Sequence, residues 1–289
     1  MECRRCNLCD EPGDFDTAVD VEKVRSNVLR YRDHEFTVWR CTGCGSLHCL
    51  EDIDYQQYYS DYPVHHQTSD MFTRFLFESR LRMLVEGGLS RQHSILDYGC
   101  GTGGFVAYLR ERGYQAAEGY DPFTTKFSDE AILRRKYDYV VSCDVIEHAP
   151  DTLEHLDQMI SLVRSGGIVA IGTPNAAELS LKDPIDRVGH LHQPYHRHLL
   201  TRMQLERLLE KRSARVLRTT ARWYVDTWIP FLNSRFFFRY VEASGGAVDS
   251  IFEPIRYSLI LKSPRLLWHG FFGRILHPGK DVLVFARVR

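Results

Sequence analysis

Three things are scarce in this chain, and each scarcity excludes something. The opening residues Met1-Glu2-Cys3-Arg4-Arg5 contain no apolar stretch of the kind a secretory leader needs, so no export signal is expected. No long hydrophobic run occurs either. The most apolar late segment, 257–276, is broken by Lys262, Arg265, His269 and Arg274, which argues against a membrane span. Charge of a single sign is the third: 37 Lys and Arg stand against 38 Asp and Glu, a net charge of -1, with no bias towards polyanionic partners. What remains is an ordinary globular composition, 44% hydrophobic over 289 residues. That is enough for one large core and a small appended module in a cytoplasmic protein.

Cysteine is clustered rather than scarce. Six of the eight fall in the first 49 residues, as Cys3, Cys6, Cys9, Cys41, Cys44 and Cys49. Without an export signal, thiols grouped this way suggest metal ligation in a reducing compartment rather than disulfides. Cys6-x2-Cys9 and Cys41-x2-Cys44 each put two thiolates on one turn, as a tetrahedral site requires. Residues 1–50 are therefore expected to form a zinc-ribbon-like module holding one structural Zn2+. The 31 residues between Cys9 and Cys41 exceed the compact spacing of such modules, and Cys3-x2-Cys6 offers a competing first pair. His48 and Cys49 are spare donors. Seven Lys and Arg against nine Asp and Glu over residues 1–50 make a poor phosphate clamp, so nucleic acid is disfavoured as a partner. Zinc is expected to replace a core too small to fold alone.

The rest of the chain is organised around Ile95-Leu96-Asp97-Tyr98-Gly99-Cys100-Gly101-Thr102-Gly103-Gly104. Two apolar residues lead into an acid, then a glycine-rich turn, then the apolar positions Phe105, Val106 and Leu109. The pattern is a buried strand turning tightly into a helix. Gly99, Gly101 and Gly104 fit G-x-G-x-x-G, a dinucleotide fingerprint that is weak alone. Asp97, Gly99, Gly101 and Gly103 also fit D-x-G-x-G-x-G, which resembles motif I of the class I S-adenosylmethionine-dependent methyltransferases. The acid at the strand end separates the two readings. A carboxylate there accepts from an ammonium-bearing ligand and repels a pyrophosphate, which favours S-adenosylmethionine over NAD.

Flanking segments extend the pattern. Residues 51–70, tyrosine-rich to Tyr62 and Pro63, read as a linker or lid, and Met71 to Glu86 as a helix stopped by Gly87-Gly88. A second short strand ends in Asp121, 24 residues after Asp97, where an α/β nucleoside site places its ribose-binding acid. Residues 123–136 are short and charged where a third strand is usual, with Asp129 as the only aspartate in the adenine position. A fourth strand runs from Tyr137 into Cys143-Asp144-Val145-Ile146-Glu147-His148, similar to the family's D-V-I-E-H segment. Asp151 and Glu154 open a helix, and Ser165-Gly166-Gly167 precedes a fifth strand ending at Thr173-Pro174-Asn175, similar to the family's P-G-G-x-L-x-x-x-T-P-N stretch. Residues 176–200 form a loop carrying His190, His192, His196 and His198, open to metal-binding, substrate-lining or structural readings. No acid lies between Arg187 and Thr201. Strands six and seven are expected at 215–220 and 281–286. Between them, residues 226–280 carry eleven aromatics in 55 positions, suggesting a cap for an apolar acceptor or an oligomer contact.

The resemblance implies an α/β fold: a Rossmann-like seven-stranded sheet with helices on both faces, in a methyltransferase domain over 71–289 that includes the aromatic-rich insertion 226–280. It implies that Gly99, Gly101 and Gly103 let the cofactor approach the backbone and that Asp97 organises its methionyl ammonium, directly or through water. Asp121 would hold the ribose, and Cys143 and Asp144 would face the methionyl part. His148 borders the transfer site and is the first candidate base, with His192 and His196 behind it. The expected reaction is methyl transfer to O, N or C of a small molecule with an apolar or aromatic part, and a homo-oligomer is compatible with the insertion. The competing readings are a ribbon-recruited enzyme acting on protein or RNA, a non-catalytic S-adenosylmethionine-binding module, and an NAD oxidoreductase.

Overall fold

The computed structural model describes residues 2–59, 71–221, 225–276 and 279–289. In chain order the strands are β1 (Val21–Arg25), β2 (Glu35–Arg40), β3 (Leu47–Cys49), β4 (Ile95–Tyr98), β5 (Ala117–Tyr120), β6 (Tyr137–Cys143), β7 (Val163–Pro174), β8 (His198–Leu199), β9 (Ala214–Thr220) and β10 (Asp281–Val288). The helices are α1 (Tyr55–Tyr59), α2 (Met71–Glu86), α3 (Gly104–Glu111), α4 (Thr152–Ser161), α5 (Pro184–Val188), α6 (Arg202–Lys211), α7 (Ser234–Ala243), α8 (Tyr257–Lys262) and α9 (Pro264–Leu276).

The chain gathers into two compact units, each built from separated stretches. One comprises Met1–His66, Pro174–Gln204 and Val225–Lys280, the other Gln67–Thr173, Leu205–Tyr224 and Asp281–Arg289. This grouping differs from the linear division 1–50, 51–70 and 71–289 expected from composition. The histidine loop and the aromatic-rich segment fold with the cysteine-bearing residues.

In the second unit the sheet order is β5-β4-β6-β7-β10-β9. β4 pairs parallel with β5 and β6, β6 pairs parallel with β7, and β10 runs antiparallel to β9. β10 lies between β7 and β9, so the last strand to be made is inserted next to the sheet's older edge. The inner strands β6 and β10 read as nearly continuous apolar runs because both their faces are covered. Tyr139, Val141 and Cys143 of β6 join a cluster with Phe77 and Leu84 of α2 and Phe105 and Leu109 of α3, while Val140 is fully buried on the opposite face. α4 begins as expected: Asp151 accepts from the backbone N–H groups of Leu153 and Glu154. Thr201 likewise caps α6 by accepting from the Gln204 N–H at 3.2 Å.

Six strands, not seven, form this sheet among the described residues. The missing position falls at 123–136, which adopts short 3-10 turns at Thr125–Phe127 and Glu130–Arg134. No side chain from 121 to 136 is buried. With no apolar face to bury, the segment gains nothing by adding to the sheet edge.

In the first unit the sheet order is β1-β2-β3-β8, antiparallel throughout. β2 leads into the second cysteine pair, with Phe36 and Val38 buried. β8 is the end of the histidine loop, paired through Leu47↔Leu199 and His48↔His198. Of the expected lid, Tyr55–Tyr59 is a short helix with Tyr58 and Tyr59 buried. Residues 60–70, with Tyr62 and Pro63, lie outside the described residues. α7, α8 and α9 build a separate aromatic core from Phe236, Tyr240 and Leu266, with Phe231 against it.

Candidate functional site

In the second unit, β4 and β5 deliver Asp97 and Asp121 to the glycine turn. Asp121 is the hinge of the arrangement. One carboxylate oxygen accepts the Gly101 N–H at 2.9 Å and the other accepts the Phe123 N–H at 2.9 Å. Tyr120 O accepts the N–H groups of Gly99 and Cys100 at 2.7 and 3.1 Å, sealing the turn onto β5. A carboxylate offers about four lone-pair directions, so two remain for a pair of vicinal hydroxyls.

The glycines divide the work. Gly99 and Gly103 have positive φ, and a Cβ on either would lie within 2.3 Å of Val145 or 2.1 Å of the Phe127 ring. They are glycine because the fold packs against them. Gly101, at φ 55, would carry its Cβ into open space, with no heavy atom within 4 Å. It is the one position of the three where bare backbone faces open space.

Asp97 is only 1% exposed and already engaged: Arg80 Nη2 donates to Oδ1 at 2.9 Å. The guanidinium of Arg80 lies 4.2 Å from the centre of the Phe105 ring. Burial raises the Asp97 carboxyl pKa, with Arg80 pulling it back down and Asp121 adding to the rise. Sequence reading missed Arg80. Its signal was present, because Phe77, Arg80, Leu81 and Leu84 fall at i, i+3, i+4, i+7 on the buried stripe of α2. An arginine on that stripe needs a buried acid.

After β6, Cys143 is buried, and burial pushes its thiol up to about 12, so it stays protonated. Asp144 takes the left-handed conformation at φ 57, with its N–H on Gly172 O at 2.9 Å. The strained turn projects the segment beyond the strand end. Ile146–His148 is a single 3-10 turn, with His148 half-buried. Glu147, fully buried, accepts from Thr173 Oγ1 at 3.0 Å. Desolvation, then the neighbouring Asp144, hold its pKa well above the carboxylate range. Sequence reading gave Glu147 no role.

In the first unit, the loop histidines His190, His192, His196 and His198 are all buried. Asn27 Nδ2 donates to Val188 O at 2.5 Å, which leaves Asn27 Oδ1 to accept from His192 Nδ1 at 2.6 Å. His196 Nδ1 donates to His190 O at 2.6 Å. Both rings therefore carry their proton on Nδ1 and present Nε2 as the acceptor. Burial lowers both pKa values, to about 4 for His196 and well below the usual value for His192. His190 sits 3.3 Å from Asp186, whose carboxylate also takes Lys280 Nζ at 2.7 Å. That acid lies one residue outside the window that had seemed free of acids. His198 forms a hydrogen bond with His48 between their Nδ1 atoms at 2.9 Å, tying β8 to β3.

The cysteine pairs converge. Cys6, Cys9, Cys41 and Cys44 place all four sulfurs within 4.8 Å of one another, with Sγ separations of 3.8, 3.8 and 3.9 Å along Cys9–Cys6–Cys44 and Cys9–Cys41. Four sulfurs 2.3 Å from a tetrahedral Zn2+ stand ~3.8 Å apart, so the donor set fits that ion. The Leu8 and Gly13 N–H groups point at Cys6 and Cys41 sulfurs at 3.4 and 3.3 Å, as thiolate ligands require. Cys3 is no substitute ligand. Its sulfur lies with His48 and His198 instead.

A profile of the methyltransferase domain matches residues 65–219, more than half of the chain. No curated protein matches it. Among solved structures, a chain from the complex between the Haloferax volcanii Trm112 methyltransferase activator and a methyltransferase is 11% identical, covering 81% of this chain and 97% of that one at a TM-score of 0.51. An S-adenosylmethionine-dependent methyltransferase from Archaeoglobus fulgidus is 18% identical, covering 80% and 99% at 0.46. Burkholderia thailandensis 1,6-didemethyltoxoflavin-N1-methyltransferase is 14% identical, covering 88% and 95% at 0.44. At these identities the likeness speaks for the fold alone, and the first of the three carries it. With a glycine turn anchored on a strand-end acid, a parallel sheet closed by an inserted antiparallel strand, and a family match over most of that sheet, the chain belongs to the methyltransferase-domain family, as an S-adenosylmethionine-dependent methyltransferase of class I.

Proposed function

We propose that the chain methylates an O, N or C atom of a small molecule that has an apolar or aromatic part. The observation that carries the cofactor assignment is the open space at Gly101 beside an Asp121 carboxylate with acceptor capacity to spare. Bound there, S-adenosylmethionine supplies a methyl group made electrophilic by its sulfonium. In this reading the Gly99, Gly101 and Gly103 turn gives the backbone approach and Asp121 accepts from the ribose hydroxyls. Asp97 is a positioning residue that fixes Arg80 at the methionyl end, while Cys143 and Asp144 form the wall on that side.

Because the leaving group needs no acid, positioning supplies most of the acceleration. An acceptor hydroxyl or carbon acid also needs a base. His148, one turn beyond Asp144, is the proposed base; burial holds the rings of His192 and His196 neutral and makes them weaker bases, so they stand behind it. The acidic balance of residues 1–50 favours a small acceptor over RNA. Zn2+ held by Cys6, Cys9, Cys41 and Cys44 is proposed to be structural, since four thiolates leave no open coordination position.

Titration calorimetry with S-adenosylmethionine should show one site per chain, and Asp121→Ala should weaken it about tenfold through lost hydroxyl contacts. Incubation with methyl-labelled cofactor and a fractionated cell extract should label a low-molecular-mass product. Label appearing only on protein or RNA would replace the acceptor assignment. Binding without transfer to any fraction would make the chain a cofactor-binding module.

A further inference from the structure

Residues 226–280 leave much of their apolar surface in solvent. Six large side chains on consecutive helices, Tyr257, Leu261, Trp268, Phe271, Phe272 and Ile275, are each 43% to 72% exposed. On α9 the spacing is that of one helical face, with Trp268, Phe271, Phe272 and Ile275 at i, i+3, i+4 and i+7. The opposite face is Leu266, Gly270 and Gly273, all buried. The usual polarity of a surface helix is therefore reversed.

This orientation is locked by the backbone. A Cβ on Gly270 would lie 2.3 Å from the Phe231 ring, and one on Gly273 would lie 2.3 Å from Asn233 Oδ1. The Phe231 N–H donates to Gly270 O at 2.7 Å and Asn233 Nδ2 donates to His269 O at 3.1 Å. Only the glycine side of α9 can approach so closely, so the helix cannot roll its aromatic face inward.

The charge along α8 and α9 is cationic, although Arg256 is paired with Glu253 at 2.9 Å and Lys280 with Asp186 at 2.7 Å. From Pro254 to Lys280 the chain carries five Lys and Arg and no Asp or Glu. Arg256, Lys262 and Arg265 are exposed. A stripe of Trp, Phe and Ile flanked by cations is the composition of a helix that lies in the headgroup layer of an anionic bilayer. A second copy of this chain is the competing occupant. Pairing the face with itself would bring like charges together, which disfavours it. α9 has 13 residues, too few to span, and no helix among the described residues is long and apolar enough to cross a membrane.

We propose that α8 and α9 form a membrane-surface anchor for anionic bilayers. The aromatic stripe enters the boundary between headgroups and acyl chains, and Lys262 and Arg265 contact lipid phosphates. The proposal is independent of which molecule accepts the methyl group.

The test is flotation of the full chain with vesicles of phosphatidylcholine alone or mixed with an equal part of phosphatidylglycerol. The expected result is binding about tenfold stronger to the anionic vesicles, weakened by salt. Trp268→Ser with Phe271→Ser and Ile275→Ser should abolish flotation, and Lys262→Glu with Arg265→Glu should remove the preference for anionic lipid. Both sets change exposed positions, so circular dichroism and S-adenosylmethionine affinity should stay as in the parent. No flotation, or equal flotation on both vesicles, overturns the proposal. A concentration-dependent dimer abolished by the serine set, without flotation, assigns the face to a second copy and overturns it as well.

Discussion

Single residues build the proposed cofactor site, and they do so for different reasons that substitutions separate. Gly101→Val should keep the fold, costing about 1–2 kcal/mol for a side chain in the left-handed region, while abolishing S-adenosylmethionine binding. Gly99→Val should instead lower thermal stability sharply, because its side chain meets Val145 rather than ligand space. Calorimetry and melting curves on the same two proteins tell these outcomes apart; equal loss of binding at equal stability would contradict the division. Asp97→Ala should destabilise by about 3–5 kcal/mol, since it strands the buried Arg80 charge, and denaturant unfolding measures this. The acids and glycines were legible because their spacing is local. Arg80 was not assigned, because its partner lies in a different element and only the buried pair reveals its purpose.

Elements decide how those residues are held. The four sulfurs come from two turns on either side of β1 and β2, and the hairpin's register brings the pairs together. Elemental analysis should find about one zinc per chain, and Cys41→Ser should lose it together with the near-ultraviolet signal of Trp39, which packs on His48. A metal-free protein with unchanged spectra would remove the zinc assignment. The buried histidines set an acid limit. His155 of α4 and His196 are each lowered to about 4 by burial, while in the unfolded chain such rings titrate near 6.5. Their folded pKa lies below the unfolded one, so their contribution is complete above pH ~6.5 and is lost as pH falls towards 4. The melting temperature should fall across that window, and His155→Phe should flatten the fall. Glu147 works in the opposite sense. Its raised pKa makes the folded state lose stability as pH rises from the acid range, and Glu147→Gln should abolish that part of the profile.

At the scale of the whole molecule, the two units are interleaved along the chain, so neither is a contiguous module. Removing residues 1–50 as a supposed appendage should expose the core of Val24, Val38, Leu47, Leu191 and Leu199, which mixes the first fifty residues with the histidine loop. The truncated chain is expected to be insoluble or strongly dye-binding, and a well-folded product would argue that the loop is stable without its β3 partner. The loop's histidines were visible as a cluster, yet the tautomer of His192 depends on Asn27, 165 positions away in sequence.

The sequence by itself determined the local grammar: the strand-turn-helix at Asp97 to Leu109, the acid closing β5, the two cysteine turns and the capped start of α4. Each is set by interactions within a few residues, so spacing is enough to read it. Only the tertiary structure decided that the third strand position stays out of the sheet, that Asp97 answers to Arg80, that Cys3 stands apart from the four thiols, and that the histidine loop is a strand of the cysteine-bearing unit. Those outcomes rest on which distant surfaces bury one another, and burial of that kind leaves no periodic trace along the chain.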